Sequence, residues 1–465
     1  MTYTLSEFDE LRASMTGAVV GPADPGYDEV RRLWNAAMDR SPAVIARCTS
    51  AADVQAAIAF ARQRGLEVAV RGGAHSMSGM SGVDGGLVVD LSLLDDVTVD
   101  PGSKRAWVGG GATLGRLDAA AQEHGLAAPA GMVSHTGVGG LTLGGGMGWL
   151  SRKHGLSIDN LVSARVVTAD GRILRAAEDE NGDLFWAIRG GGGNFGVVTE
   201  FEFRLHEVGP IVHVGLLFFG LDDFPGVLRL AREVVPALPR YVNVLIGALH
   251  APPAPFVPEE HRMKPAGVAV VIGFGTAEQH ADALDRLRAA APPLFEMVTP
   301  MPYVALQQMF DEGNAWGFHV YEKGTSLADF TDEVVEVLAE HLPRKVSPLS
   351  ALLVYRLDQA FSEVADDATA FGGGRAPHYE AAIIGIAPTP ELLDAERAWV
   401  RGLWDALQPY KGDAVAYVNA GGDLDDDRVR AIYGAKYDRL AAVKAVYDPD
   451  NLFHRNANIR PEGSS

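Results

Sequence analysis

Arg71-Gly72-Gly73-Ala74-His75-Ser76-Met77-Ser78-Gly79 follows the short apolar run Leu66-Glu67-Val68-Ala69-Val70, and its reading decides the fold. The apolar run predicts a strand that stops where a loop begins. Glycines 72, 73 and 79 can take positive φ and let backbone N–H groups approach an anion. His75 is the strongest nucleophile among the side chains of that loop. Two further glycine clusters follow, Gly137-Val138-Gly139-Gly140-Leu141-Thr142-Leu143-Gly144-Gly145-Gly146-Met147-Gly148 and Arg189-Gly190-Gly191-Gly192-Gly193-Asn194-Phe195-Gly196. One glycine loop is commonly a plain turn, and a single loop histidine is commonly a surface residue. Three such loops in one region predict one large, flat, phosphate-bearing ligand.

At 465 residues the chain exceeds what one core usually supports, so two domains are expected. A hydrophobic share of 47% with 22% charged residues is globular, and the 53 glycines cluster in the first 200 residues without a period, which excludes collagen-like and low-complexity chains. The net charge of −20 disfavours nucleic acid, and no Lys/Arg run offers a local basic patch. The single cysteine, Cys48, sits in a short apolar stretch and reads as a buried, inert thiol. The first thirty residues lack a secretory pattern and no apolar stretch reaches spanning length, so a cytoplasmic protein without a membrane anchor is expected. The histidines have no metal-ligand spacing, and no metal is expected.

Taken in order, Tyr27, Val30, Leu33, Trp34 and Met38 have helical spacing, and residues 42–46 read as a strand. Ser50 is placed to cap a helix with apolar face Val54, Ala57, Ile58 and Ala61, closed by Gly65 before the strand at 66–70. Residues 97–108 read as a hairpin, a helix follows Thr113, and Asp170-Gly171 marks a second hairpin. Near Gly209-Pro210 glycine thins out. Beyond it, 212–219, 242–250, 268–274, 349–355 and 379–386 are strand-like, while 277–290, 329–341 and 391–406 have helical periodicity. A helix is expected from Asp425 to about Val446. Asp425-Asp426-Asp427 reads as acids complementing that helix's dipole, not as a metal cluster.

The ordered set of motifs resembles the berberine-bridge-enzyme-like FAD-linked oxidases of the vanillyl-alcohol-oxidase superfamily. Its carriers are Val70 to Ser76, Pro129 to Gly148, Gly155-Leu156-Ser157-Ile158-Asp159-Asn160, Phe185 to Gly196 and Tyr447-Asp448-Pro449-Asp450-Asn451-Leu452-Phe453. The resemblance implies an α+β protein. Its PCMH-type FAD-binding domain would consist of two α/β subdomains, formed by residues 1–208 and completed by 412–465. An inserted substrate domain of antiparallel sheet covered by helices would span 209–411.

The resemblance further implies FAD bound covalently through His75 to the flavin 8α carbon; a neutral imidazole is a suitable nucleophile for that bond. Many relatives add a cysteinyl tether in an Ala-Gly-x-Cys pattern. Here Ala130-Gly131-Met132-Val133 offers no thiol, so a single histidyl link is expected, as in the bacterial branch. Cofactor contacts are implied for Arg71, Gly72, Gly73, Ala74, His75, Ser76, Met77 and Gly79; for Gly137, Gly139, Gly140, Leu141, Gly144 and Gly148; for Gly155, Asp159 and Asn160; for Gly196 and Val198; and for Tyr417 and Asn419. Val138 matches a position implied to admit dioxygen, with ordinary packing as its other reading.

Tyr417, in Tyr417-Val418-Asn419, is the first candidate for base or hydrogen-bond partner, and as a phenolate it would need nearby positive charge or donors. Asp423 is displaced by one position from the family's aspartate and takes no role. Tyr379 is a further catalytic candidate. It neighbours Glu380 on a strand, so only one of the two can face the site. For His135 a place near the flavin edge and an ordinary loop position both stand. The expected partners are a small-molecule substrate and dioxygen, in a monomer or homodimer. The expected activity is hydride removal from a C–O or C–N centre with release of hydrogen peroxide. Oxygenative rearrangement of a polyketide-like intermediate and non-catalytic sequestration of a drug-like ligand are the alternatives. A nicotinamide dehydrogenase is disfavoured because the glycine loops lack Rossmann spacing.

Overall fold

The computed structural model describes residues 8–412, 417–421 and 425–463. Asp423 lies outside the described residues. The first sheet has order β1-β2-β4-β3, from Val19–Val20 (β1), Val44–Arg47 (β2), Val68–Arg71 (β3) and Leu87–Asp90 (β4). Strands β2 and β3 both run parallel to β4, as buried apolar strands do, while the half-buried β1 pairs antiparallel with β2 at the edge. The crossover helix Ala51–Arg64 starts where Ser50 Oγ accepts the Asp53 N–H at 3.1 Å and ends at Gly65, whose φ of +60° reverses the chain. That βαβ unit delivers the His75 loop from the end of β3.

The next sheet is antiparallel, with order β5-β6-β10-β8-β9. It uses Val97–Asp100 (β5) and Arg105–Gly109 (β6); Leu126–Ala127 (β7) lies apart from it. The sheet is completed by Leu161–Val167 (β8), Ile173–Ala177 (β9) and Val197–Arg204 (β10), while β7 pairs with His206–Glu207 (β11). Both expected hairpins, β5/β6 and β8/β9, are present.

The third sheet has seven antiparallel strands in the order β15-β12-β14-β13-β17-β18-β16. They are Ile211–Phe219 (β12), Val242–His250 (β13), Pro265–Gly273 (β14), Phe295–Pro302 (β15), His319–Leu327 (β16), Ala351–Leu357 (β17) and His378–Ala387 (β18). Helices Phe224–Val234, Ala277–Arg288, Asp332–His341 and Leu393–Leu407 cover one face and bury Leu217, Ile246, Val354 and Ile383 against their own apolar stripes. The other face turns toward the glycine loops.

Three expectations are corrected. Only Tyr27–Val30 of the 27–38 segment is helical; Trp34 is buried in irregular chain, with its indole N–H donating to the Asn314 carbonyl at 2.6 Å. The C-terminal helix is two, Asp426–Tyr433 and Tyr437–Tyr447, broken at Gly434 with φ of +49°. Asp425 is an N-cap accepting the Arg428 N–H at 2.8 Å, in keeping with the non-metal reading of the acidic run. Strands β15 and β16 were not expected at all.

The C-terminal segment locks the third glycine cluster. Buried Lys444 pairs with Asp448 at 2.6 Å and donates to the carbonyl of Asn194 at 2.7 Å, while the Asn194 side chain bonds the backbone of Ala457 and Ile459. From the short helix Ser151–His154, buried Arg152 reaches the seven-stranded sheet and its connections, bonding Asp358 at 2.6 Å and the carbonyls of Val242 and Leu238 at 2.7 and 3.1 Å. No helix among the described residues is long and apolar enough to cross a membrane.

Candidate active site

A cleft of about 470 Å³ separates the glycine loops from the open face of the seven-stranded sheet. Its floor is built where two loops meet backbone to backbone. A Cβ on Gly73 would stand 2.4 Å from the Gly137 nitrogen, and a Cβ on Gly137 would stand 2.4 Å from the Gly73 nitrogen. Only glycine fits at either position, so the crossing presents bare peptide groups to the cleft. Gly72 to Ser78, Gly137, Gly139, Gly140, Leu141, Gly192, Gly193, Gly196 and Val198 line this side, with Arg455 and Asn456 from the C-terminal segment.

His75 lines the cleft with its ring stacked on Trp34, centroids 4.3 Å apart and planes 17° from parallel. Its Nε2 is 2.9 Å from His135 Nδ1. Burial, with a smaller contribution from His135, lowers its pKa to about 3, so the ring is neutral near pH 7 and keeps a lone pair. Ala74, at φ of +55°, sets the turn before it.

The opposite wall comes from β16, β17 and β18. Strand alternation sends Tyr379, Ala381 and Ile383 under the helices and presents Glu380, Ala382 and Ile384 to the cleft, joined by Glu322, Leu353 and Tyr355. Glu380 Oε2 accepts from the Ser326 hydroxyl at 2.7 Å, and Oε1 accepts the Tyr417 N–H at 3.4 Å. Burial raises the Glu380 carboxyl to about 7 against the lowering effect of these two donors. Burial and the charge of Glu380 raise Glu322 to about 7 as well. The Tyr355 hydroxyl donates to the Met147 sulfur, and burial holds its pKa well above the ordinary phenol value.

Tyr417 lines the cleft as the sequence suggested, and its hydroxyl accepts the Gly146 N–H at 3.0 Å and the Asn419 amide at 2.8 Å. Burial nevertheless lifts its pKa to about 12, so it stands as a neutral phenol. Tyr379 is corrected outright. Its ring packs against Phe330 with centroids 4.5 Å apart, beneath the helices and away from the cleft. The Val138 side chain is buried in the core under the five-stranded sheet, in line with its ordinary-packing reading, while Thr136, two residues earlier, lines the cleft.

Several expected cofactor residues hold the walls and do not line them. The Arg71 guanidinium is used on Asp90 at 2.6 Å and on the Val30 carbonyl. Asp159 pairs with Arg375 at 2.7 Å, and Asn160 bonds the carbonyls of His154 and Leu156. Gly79, Gly144, Gly148 and Gly155 sit tight against Met38, Asn419, the Ala130 carbonyl and Asp159 respectively. Sequence reasoning missed Glu322, Tyr355 and Thr136. The one available signal for Glu322 was an acid within His319 to Leu327, which instead disguised that segment's strand character.

The cleft suits FAD on its own features. Side-chain-free peptide groups can take a diphosphate, a neutral ring nitrogen is available at His75, and the wall opposite is partly apolar with two carboxyls. This constellation defines an FAD-linked oxidoreductase. A family model described as an FAD binding domain matches residues 42–177, and one described as berberine and berberine like matches 416–460. An FAD-linked oxidoreductase from Dictyostelium discoideum is 31% identical over 99% of this chain and 97% of its own length. The (R)-6-hydroxynicotine oxidase of Paenarthrobacter nicotinovorans is 32% identical over 97% of this chain and 98% of its own. The crystal structure of 6-hydroxy-D-nicotine oxidase from Arthrobacter nicotinovorans superposes with a TM-score of 0.84 at 29% identity, covering 97% of this chain and 99% of that one. The chain belongs to the berberine-bridge-like family of FAD-linked oxidoreductases, with the PCMH-type FAD-binding fold.

Proposed function

We propose that the protein is an oxidase that takes a hydride from a C–O or C–N centre of a small aromatic or specialised-metabolite substrate and passes the electrons to dioxygen, giving hydrogen peroxide. Residues 1–208 and 412–465 would hold FAD, with His75 as its single histidyl tether, and 209–411 would supply the substrate wall. Val133, which lines the cleft, has no thiol for a second tether. When bound, FAD supplies the hydride acceptor.

The observation that carries this reading is the pair of carboxyls, Glu380 and Glu322, on the wall facing the His75 loop, both raised to about 7. A base with that pKa is both substantially ionised and a competent proton acceptor near neutrality. Glu380, steadied by Ser326 and the Tyr417 N–H, takes the proton from substrate oxygen or nitrogen. Tyr417 stays neutral and orients the substrate by its hydroxyl. A protonated amine entering the cleft would meet both carboxyls, which favours the C–N reaction. The likeness to an oxidase named for 6-hydroxynicotine supports the same choice.

The test is peroxide release from a panel of small aromatic amines and alcohols, paired with anaerobic mixing. Substrate-dependent loss of flavin absorbance without oxygen, and peroxide with it, would support the reading. Bleaching without peroxide would remove the oxidase assignment, and no bleaching across the panel would favour a ligand-sequestering flavoprotein.

A further inference from the structure

We infer that His135 is a positioning residue that fixes the tautomer of His75 and receives its proton, so that the cofactor bond is made by His75 Nδ1. This rests on the tether reading above.

The geometry leaves His75 little freedom. Trp34 stacks on its ring at 4.3 Å, and His135 Nδ1 holds Nε2 at 2.9 Å. No described protein group bonds His75 Nδ1, and the residue lines the cleft. A neutral imidazole carries one N–H and one lone pair. If Nε2 donates to His135, the lone pair lies on Nδ1 and is free to attack; the reverse tautomer directs an N–H outward and is not a nucleophile there. His135 Nδ1 as acceptor selects the reactive form.

His135 is itself held. On one side the Ser134 N–H and hydroxyl bond the Asp311 carboxylate at 2.8 and 2.5 Å; on the other the Thr136 carbonyl accepts the Leu114 N–H at 2.9 Å. The remaining nitrogen, His135 Nε2, is buried without a hydrogen-bond partner, a cost an unconstrained loop histidine would avoid by turning to water.

In the attachment step a bond forms between His75 Nδ1 and the flavin 8α carbon, and an 8α C–H bond breaks. The Nε2 proton passes to His135 Nδ1, which relieves the positive charge that burial disfavours on His75. The 8α proton leaves to solvent. The electron pair of the C–H bond reduces the flavin ring, and dioxygen removes that pair as hydrogen peroxide when it takes up two protons.

The experiment uses the full chain purified from riboflavin-limited cells and supplied with FAD. Tether formation is followed as flavin fluorescence that stays with the polypeptide on a denaturing gel, and reversible FAD binding is measured separately by filtration. His135→Ala should bind FAD but form the tether about 100-fold more slowly than wild type. His135→Asn, which keeps an acceptor without a basic nitrogen, should be intermediate. Tethering by His135→Ala at the wild-type rate would overturn the proposal, as would a defect confined to FAD binding with normal tethering of what binds. If wild type itself forms no tether, the His75 reading fails and this one with it, a result distinct from a defect seen only in the His135 variants.

Discussion

The carboxyl of Glu380 accepts the backbone N–H of Tyr417 at 3.4 Å, joining a strand of the seven-stranded sheet to the C-terminal segment at the edge of the cleft. The contact places the cleft's base candidate beside its phenol and gives the two different duties. Glu380 is raised to about 7 and Tyr417 to about 12, so near neutrality only the carboxyl can exchange a proton.

Glu380→Gln should lower kcat by about 100- to 1,000-fold, the usual worth of a positioned base. The base works when ionised, so wild-type turnover should rise with pH through about 7, and that limb should vanish in the variant. Steady-state rates from pH 5 to 9 check both points; an unchanged limb in the variant would transfer the titration to another group.

Tyr417→Phe should keep the same pH limb, because its phenol does not ionise in that range. It leaves the buried Gly146 N–H without its acceptor, a cost of about 1–3 kcal/mol measurable by denaturant unfolding. Loss of the limb in this variant would restore Tyr417 as the base.

Glu322→Gln separates binding from stability. The folded carboxyl titrates near 7 against an ordinary value of 4.5, so its contribution to stability is present below about 4.5 and is lost as pH rises to about 7. The amide should therefore stabilise the protein above pH 7 by about 1–3 kcal/mol and change little at pH 4. It should also raise KM for cationic amines more than for neutral alcohols. Thermal melts at the two pH values and paired KM values decide this.

Arg152→Ala removes one of the two guanidinium partners of buried Asp358, which keeps Arg356 at 2.9 Å, and leaves the carbonyls of Val242 and Leu238 short of a donor. A loss of about 1–3 kcal/mol is expected from the unmet buried carbonyls. Tyr379→Phe, by contrast, conserves volume under the helices and should leave turnover unchanged, with less than about 1.5 kcal/mol lost. Melting curves and kcat for both variants test the assignment of faces.

The sheets and the glycine floor were legible where one requirement dominated. Gly73 and Gly137 stand where no other residue fits, and the capped helix between Ser50 and Gly65 follows its local signals. Strand β16 was not legible, because Glu322 and Lys323 interrupt the apolar pattern that marks a buried strand, and Glu322 does so because it faces the cleft. Strand parity limited the site to one of Tyr379 and Glu380, but the sequence carried no sign of which face the helices would cover. Arg71 and Asp159 belong to motifs around the cofactor site, yet their charges are spent on Asp90 and Arg375. A motif records support and contact alike, and only the fold separates them.

The most direct measurement is acid denaturation of the purified protein followed by centrifugation, with wild type and His75→Ala compared. The yellow colour should pellet with the wild-type chain and stay in the supernatant for the variant. Colour released from the wild type would contradict the tether at His75, and colour retained by His75→Ala would place the bond on another residue.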